Sequence, residues 1–251
     1  MWVVPRAERP SLDHWRTSKD FKEHRNKLVI LDYDGTMVPF HDTPESAVPG
    51  EPLLEVLDKL ERDPTTYVAI ITGRDEKFVQ KHFGKYSSFH LSAEYGAKER
   101  KPGGEWRQVE GLDLSWLRNV QDMMENVEEF FLFLDRQNKL KKLGSKELKV
   151  ENDNLAIEVR MGEALSKGHV VEKVLGSLPN TDMVLCFGDS ESDEDMFRAL
   201  RKMKESGMQF PHVLTTVHVD NGKGYKTIAQ HKMRDPKEFI DLFRMFYGIE
   251  H

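Results

Sequence analysis

Two aspartates separated by one residue, Asp32 and Asp34, stand in the segment Leu-Asp-Tyr-Asp-Gly-Thr, directly after the apolar run Leu28–Leu31. On an extended chain, residues i and i+2 project from the same side. Two carboxylates placed so close repel one another, and a bound divalent cation or a proton offsets that cost. Gly35 permits a tight turn whose backbone amides can face an anion. A capped strand end with an Asx turn would use the same residues, so the segment alone leaves both readings open. Three further segments offer complementary chemistry. Thr72, in Ile-Ile-Thr-Gly-Arg-Asp, places a hydroxyl before a helix N-terminus, a combination able to bind a phosphate oxygen; an N-cap or turn threonine fits equally. Gly73 and Arg74 beside it are candidate substrate contacts. Lys167 opens a helical pattern and could neutralise developing negative charge, or simply be solvated. Asp189 and Asp193 follow the apolar run Met183–Phe187, where Asp189 is placed to ligate a metal and Asp193, one helical turn on, to support it. An acidic helix start also complements the helix dipole.

The elements that must carry these residues alternate. Lys27–Tyr33, Tyr67–Ile71, Met183–Phe187 and Val213–Val219 are short apolar runs, as expected of strands buried on both faces. Helical spacing follows in Pro49–Glu61, in Asp75–Phe83 with Asp75 as N-cap, from about Ser192, and in Pro236–Phe246. Strands alternating with helices predict an α/β protein with a mostly parallel sheet, in which chemistry gathers at the carboxyl ends of the strands. The middle differs. Leu114, Leu117, Val120, Met124 and Val127 mark one helix face, and Leu148–Val150 with Leu155–Arg160 predicts a hairpin turning through Asn152–Asn154. We therefore expect a core of residues 1–110 and 164–251 with an inserted cap at 111–163. Residues 1–25 are expected to include a short helix carrying Trp15 and Phe21 onto the core.

Composition narrows the function classes. In 251 residues, 37 Lys and Arg stand against 43 Asp and Glu, so there is no basic excess to drive nucleic-acid binding. The single cysteine, Cys186, excludes an internal disulfide framework and a cysteine-rich zinc site, and the histidines lack zinc-site spacing. No apolar stretch approaches the roughly 20 residues of a membrane span, and the N-terminus lacks the pattern of a cleaved signal peptide. A soluble, cytoplasmic protein is expected. Met123 and Met124 are read as helix packing and Lys139–Lys142 as solvated surface.

Taken in order, the motifs at Asp32–Thr36, Thr72–Arg74, Lys167 and Gly188–Asp193 resemble those of the haloacid dehalogenase-type phosphatase superfamily. The segments DYDGTMVPF, DTPESAVPGEPLLEVLDKL, DPTTYVAIITGRD, HLSAEYGAKER and CFGDSESDEDMF look like the trehalose-6-phosphate phosphatases of fungi and plants, over most of residues 26–110 and 155–230. This resemblance implies a Rossmann-like parallel sheet with a small α+β cap, and hydrolysis of trehalose 6-phosphate with Mg²⁺. It implies Asp32 as nucleophile, Asp34 as acid then base, and Thr72 and Lys167 holding the phosphoryl oxygens. The cation would lie on Asp32, the Asp34 main-chain carbonyl and Asp189, with Asp193 close by. Glu158, in the cap-like segment Leu-Ala-Ile-Glu-Val-Arg, becomes a candidate for binding sugar hydroxyls. Ser190 stands where the family has a second aspartate, Tyr95 where it has a histidine, and the family's other cap motifs are not found between Leu112 and Val150. Two other readings share these residues: a non-catalytic regulatory subunit of a trehalose-synthesis complex, and a phosphatase for another sugar phosphate. Related fungal and plant enzymes often carry a synthase-like domain upstream, which makes a trehalose-6-phosphate synthase subunit or domain the expected partner.

Overall fold

A computed structural model describes residues 10–41, 43–109, 148–153, 156–161, 165–206 and 210–249. The chain divides into two compact units, Met1–Gln108 with Lys167–His251, and Val109–Ser166. The first is built on an eight-stranded sheet among the described residues, in the order β10-β9-β8-β1-β2-β3-β4-β5. Its strands are β1 (Lys27–Leu31), β2 (Thr66–Ile71), β3 (His90–Ala93), β4 (Lys98–Arg100), β5 (Trp106–Gln108), β8 (Met183–Gly188), β9 (Val213–Val219) and β10 (His231–Met233). The pairs from β10 through β3 are parallel, and only β3–β4 and β4–β5 are antiparallel.

Alternation along the central strands sends side chains into two cores. Val29, Leu31, Val68, Ile70, Leu185 and Phe187 pack on one face, together with apolar residues of α1 (His14–Glu23), α2 (Glu51–Glu61), α3 (Glu76–Phe83) and α6 (Pro236–Tyr247). Leu28, Ile30, Ala69, Ile71, Val184 and Cys186 pack on the other, against α4 (Lys167–Gly176) and α5 (Glu191–Glu205). Each fully buried Leu, Ile, Val or Phe contributes roughly 1.5–3 kcal/mol, so the central strands tolerate few polar residues. Register sets the functional edge. Leu31 lies opposite Ile70 of β2 and Phe187 of β8. The chain therefore leaves all three strands within one residue of the same level, at Asp32 and, one position further on, Thr72 and Asp189.

The expected elements need adjustment in places. Phe21 of α1 is buried and stacks on Phe246, with ring centroids 4.2 Å apart, but Trp15 is 74% exposed and does not reach the core. Helix α2 begins at Glu51, not Pro49, with Gly50 as N-cap and Pro52 in the first turn. In α5 the N-cap is Ser190, so the helix starts at Glu191. In the second unit, β6 (Leu148–Asp153) pairs antiparallel with β7 (Ala156–Met161). Asn152 and Asp153, expected in the turn, lie in β6 opposite Ile157 and Ala156 because the ladder extends further than the apolar residues do. The expected helix at Leu114–Val127, with Met123 and Met124, and the basic cluster Lys139–Lys142 lie outside the described residues.

Candidate active site

Asp32 leaves β1 with its amide still bonded to the Phe187 carbonyl of β8 (3.1 Å) and its side chain buried, 4% exposed. One carboxylate oxygen accepts from Lys167 Nζ at 2.6 Å and the other from Thr36 Oγ1 at 2.9 Å. Burial, reinforced by Asp193, pushes the Asp32 pKa up to about 7, and Lys167 partly opposes the rise. Lys167 begins α4 and is itself buried; its second partner is Asp193 Oδ1 at 2.7 Å. Burial alone would lower the Lys167 pKa. The carboxylates of Asp193 and Asp32 outweigh it and hold the ammonium well above the ordinary lysine range.

Asp193 is fully buried, and its Oδ2 accepts from the amides of Asp189 (3.0 Å) and Ser190 (2.9 Å) and from Ser190 Oγ (2.8 Å). Ser190 and Asp193 thus form a capping box at the start of α5. The Ser190 hydroxyl completes this box, and the same Asp193 carboxylate pairs with Lys167. Asp189 is buried beside them, its pKa raised well above the carboxylate range by burial, Asp32 and Asp193. Gly35, at φ 75°, is where the loop passes closest to it: a Cβ there would stand 2.4 Å from Asp189 Oδ2.

Carboxylate oxygens of Asp32, Asp189 and Asp193 lie within 4.8 Å of one another. All the donors are hard oxygens, and the buried ammonium beside them, Lys167, serves Asp32 and Asp193, so three buried carboxylates leave an excess of negative charge that a further cation would offset. That donor chemistry fits Mg²⁺ or a similar hard divalent ion.

Thr72 follows β2 and is buried; its Oγ1 accepts from the amide of Arg74 at 3.1 Å, while Asp75, as expected, caps α3. Gly73 is packed under Tyr95, where a Cβ would come within 2.6 Å of the phenol oxygen. Glu94 and Tyr95 hold positive φ angles (53° and 56°), and their amides bond the carbonyls of Arg74 (2.9 Å) and Thr72 (3.1 Å). This strained turn thereby fixes the backbone of residues 72–74, with the Tyr95 ring centroid 5.8 Å from Lys167 Nζ. Arg74 sends Nε to Asp34 Oδ2 (2.7 Å), Nη2 to Asp34 Oδ1 (2.5 Å) and Nη1 to the Pro44 carbonyl (2.7 Å), over the Phe78 ring. The candidate substrate residue Arg74 therefore grips the carboxyl of Asp34.

The first unit brings Asp32, Asp34, Thr72, Gly73, Arg74, Lys167, Asp189 and Asp193 to one sheet edge. Glu158 is in β7 of the second unit, opposite Glu151 in register. Sequence reasoning included Thr36 in the motif Asp32–Thr36 but gave it no role; its hydroxyl bonds Asp32. Sequence reasoning missed Asn221 and Lys223, which reach Asp189 from the β9–β10 loop.

A parallel sheet of this strand order, with paired aspartates leaving its central strand and a lysine and further aspartates from its neighbours, defines a haloacid dehalogenase-type fold. Comparison with family models matches the trehalose-phosphatase model at residues 30–130 and 134–229. The chain belongs to the trehalose-phosphatase family. It is 30% identical to a trehalose-phosphatase of Schizosaccharomyces pombe, over 93% of this chain and 32% of that protein. A bifunctional trehalose-6-phosphate synthase/phosphatase of Thermoproteus tenax is 30% identical over 72% of this chain and 28% of its own length. Among solved structures, the C-terminal domain of the Candida albicans trehalose-6-phosphate phosphatase superposes with a TM-score of 0.83 at 24% identity, covering 97% of this chain and 100% of that one. The chain spans about a third of the length of the first curated relatives it matches.

Proposed function

We propose that this chain hydrolyses trehalose 6-phosphate to trehalose and phosphate, in two steps through phosphorylated Asp32, with Mg²⁺ as cofactor. The observation that carries the reading is the buried Asp32 carboxylate held between Lys167 and Thr36, with Asp189 beside it and Asp34 two residues on. Membership in the trehalose-phosphatase family supports the substrate.

Asp32, Asp189 and the main chain at Asp34 would hold the cation, which when bound masks negative charge on the phosphate so that an anionic nucleophile can approach. The rest falls to the side chains. An oxygen of Asp32 attacks phosphorus, the bond from phosphorus to the sugar oxygen breaks, and Asp34 gives that oxygen its proton. Water then attacks the aspartyl-phosphate while Asp34 takes the proton back, releasing phosphate and restoring Asp32. Splitting one hydrolysis into two such transfers lowers each barrier, and phosphoryl transfer asks mainly for positioning and charge stabilisation. Arg74 supplies the positioning of Asp34, the turn at Glu94–Tyr95 that of Thr72 and Gly73, and Lys167 the positive charge facing the phosphoryl oxygens. Asp193 acts through Lys167 and the amide of Asp189.

Sugar recognition is assigned to Glu158 of the second unit. A synthase domain or subunit is the natural partner, since a relative is described as a bifunctional synthase/phosphatase. A cytoplasmic location is part of this reading. Cys186 is a free, buried cysteine, and no helix among the described residues is long and apolar enough to cross a membrane. The test is phosphate release from a panel of sugar phosphates with Mg²⁺. Trehalose 6-phosphate should be preferred, and Asp32→Asn should abolish turnover while leaving the fold. Preference for another sugar phosphate rejects the substrate, and activity above a few per cent in Asp32→Asn rejects the nucleophile.

A further inference from the structure

The β9–β10 loop reaches Asp189 through two side chains, and both also touch the loop that follows Asp32. Asn221, at φ 50°, donates through Nδ2 to the Gly35 carbonyl (2.8 Å) and, more distantly, to Asp189 Oδ2 (3.4 Å). Lys223 places its ammonium 3.5 Å from the same oxygen and 3.9 Å from the centroid of the Phe40 ring. The loop is anchored away from the site: the amides of Asp220 and Asn221 bond the carbonyls of Met233 and Arg234, and Lys232 pairs with Asp220 at 3.1 Å.

These contacts are unequal in a telling way. Asp189 is almost wholly buried, yet both donors reaching its Oδ2 stand at the outer limit of hydrogen-bond distance, longer than charge-assisted bonds usually run. Lys223 is 28% exposed and lies on a ring that is itself partly open to solvent, so its charge can leave Asp189 without entering an apolar interior. A cation gripping a buried carboxylate this loosely offsets its charge without occupying its coordination positions.

We propose that Lys223 is a displaceable counter-charge for Asp189: it neutralises the carboxylate in the cation-free protein, competes with the divalent cation for it, and turns toward the substrate phosphate once displaced. Asn221 is a positioning residue that ties Asp189 to the Gly35 turn. Like charges at one carboxylate repel, and the Phe40 face retains the ammonium near the mouth of the site through a cation–π contact. The inference rests on Asp189 being a cation ligand.

The experiment is calorimetric titration of the full chain with Mg²⁺, without substrate, for wild type, Lys223→Met, Lys223→Arg and Asn221→Ala. Methionine keeps an unbranched apolar stem that can lie on Phe40 but removes the charge and its cation–π contact. Lys223→Met should bind Mg²⁺ about fivefold more tightly at low salt, the size expected of a partly exposed ion pair, with the difference shrinking as ionic strength rises. Lys223→Arg should resemble wild type, Asn221→Ala should bind more weakly, and Lys223→Met should raise KM for the sugar phosphate severalfold. Equal or weaker binding by Lys223→Met overturns the proposal. A wild type that takes up no Mg²⁺ overturns instead the assignment of Asp189 as ligand.

Discussion

At the scale of single residues, the site is governed by how few atoms each side chain leaves uncommitted. Arg74 illustrates this: its fork is spent on Asp34 and Pro44, so it orients Asp34, the proposed proton donor and acceptor. Lysine cannot reproduce a planar two-pronged grip. Arg74→Lys should therefore lower kcat by up to about 10²-fold, the cost of a misplaced reacting group, with a smaller change in KM. A KM effect larger than the kcat effect would return Arg74 to the substrate-contact role expected from sequence. Gly35 makes a second case. Alanine there meets both a left-handed backbone and the Asp189 carboxylate, 2.4 Å from its Cβ. Gly35→Ala should lose about 1–2 kcal/mol of stability from the backbone alone, read by urea denaturation. It should also lose Mg²⁺ affinity, which Gly50→Ala, whose Cβ would make only an ordinary 3.7 Å contact with Pro52, should keep. Asp32, Asp34, Thr72, Lys167 and Asp189 were legible in sequence because each follows a recognisable strand or opens a helix. Asn221 and Lys223 were not, since nothing local to a polar loop tells which carboxylate it will face.

At the scale of elements, legibility followed burial. Lys27–Leu31, Thr66–Ile71 and Met183–Gly188 are buried on both faces and announce themselves as apolar runs. Lys98–Arg100 and Trp106–Gln108, at the antiparallel edge, carry mostly polar residues, and His231–Met233 is three residues long; none has a periodic signal to read. β3 is intermediate, because its first residue is a buried histidine. His90 meets Tyr67 Oη through Nδ1 at 3.3 Å, its Nε2 is buried without a partner, and Glu99, Lys173 and Lys101 surround it at a distance. Burial holds its pKa down at about 4 against an ordinary 6.5; Glu99 opposes this and the two lysines add to it. The unfolded chain therefore binds a proton between those values that the folded chain does not. Stability from this group is complete above pH 6.5 and falls as pH drops toward 4, by about 3 kcal/mol in all. His90→Leu should flatten the dependence of unfolding free energy on pH by one proton's worth of slope across that window. An unchanged slope would show that His90 is protonated in the folded protein.

At the scale of the whole molecule, the proposed function divides two kinds of chemistry between the two units. The unit formed by Met1–Gln108 and Lys167–His251 contains every residue to which the proposed reaction at phosphorus assigns a role. In those proposed roles none of them distinguishes one phosphate ester from another, since Asp32, Lys167 and Thr72 would address oxygens common to all of them. Selection for a disaccharide must come from groups that address hydroxyls, and the proposal places one of them, Glu158, in the hairpin of the Val109–Ser166 unit. The sequence showed this hairpin by its apolar ends but understated its length, because Asn152 and Asp153 have turn chemistry yet pair in the ladder. If the division of labour holds, a substrate without sugar should be blind to it. Glu158→Ala should leave hydrolysis of p-nitrophenyl phosphate within about twofold of wild type. It should raise KM for trehalose 6-phosphate by roughly 10- to 100-fold, the loss of hydrogen bonds from a charged group to substrate hydroxyls. Equal losses on both esters would mean that Glu158 supports the fold or the reaction centre. Unchanged kinetics on both would mean that the sugar is read elsewhere in the chain.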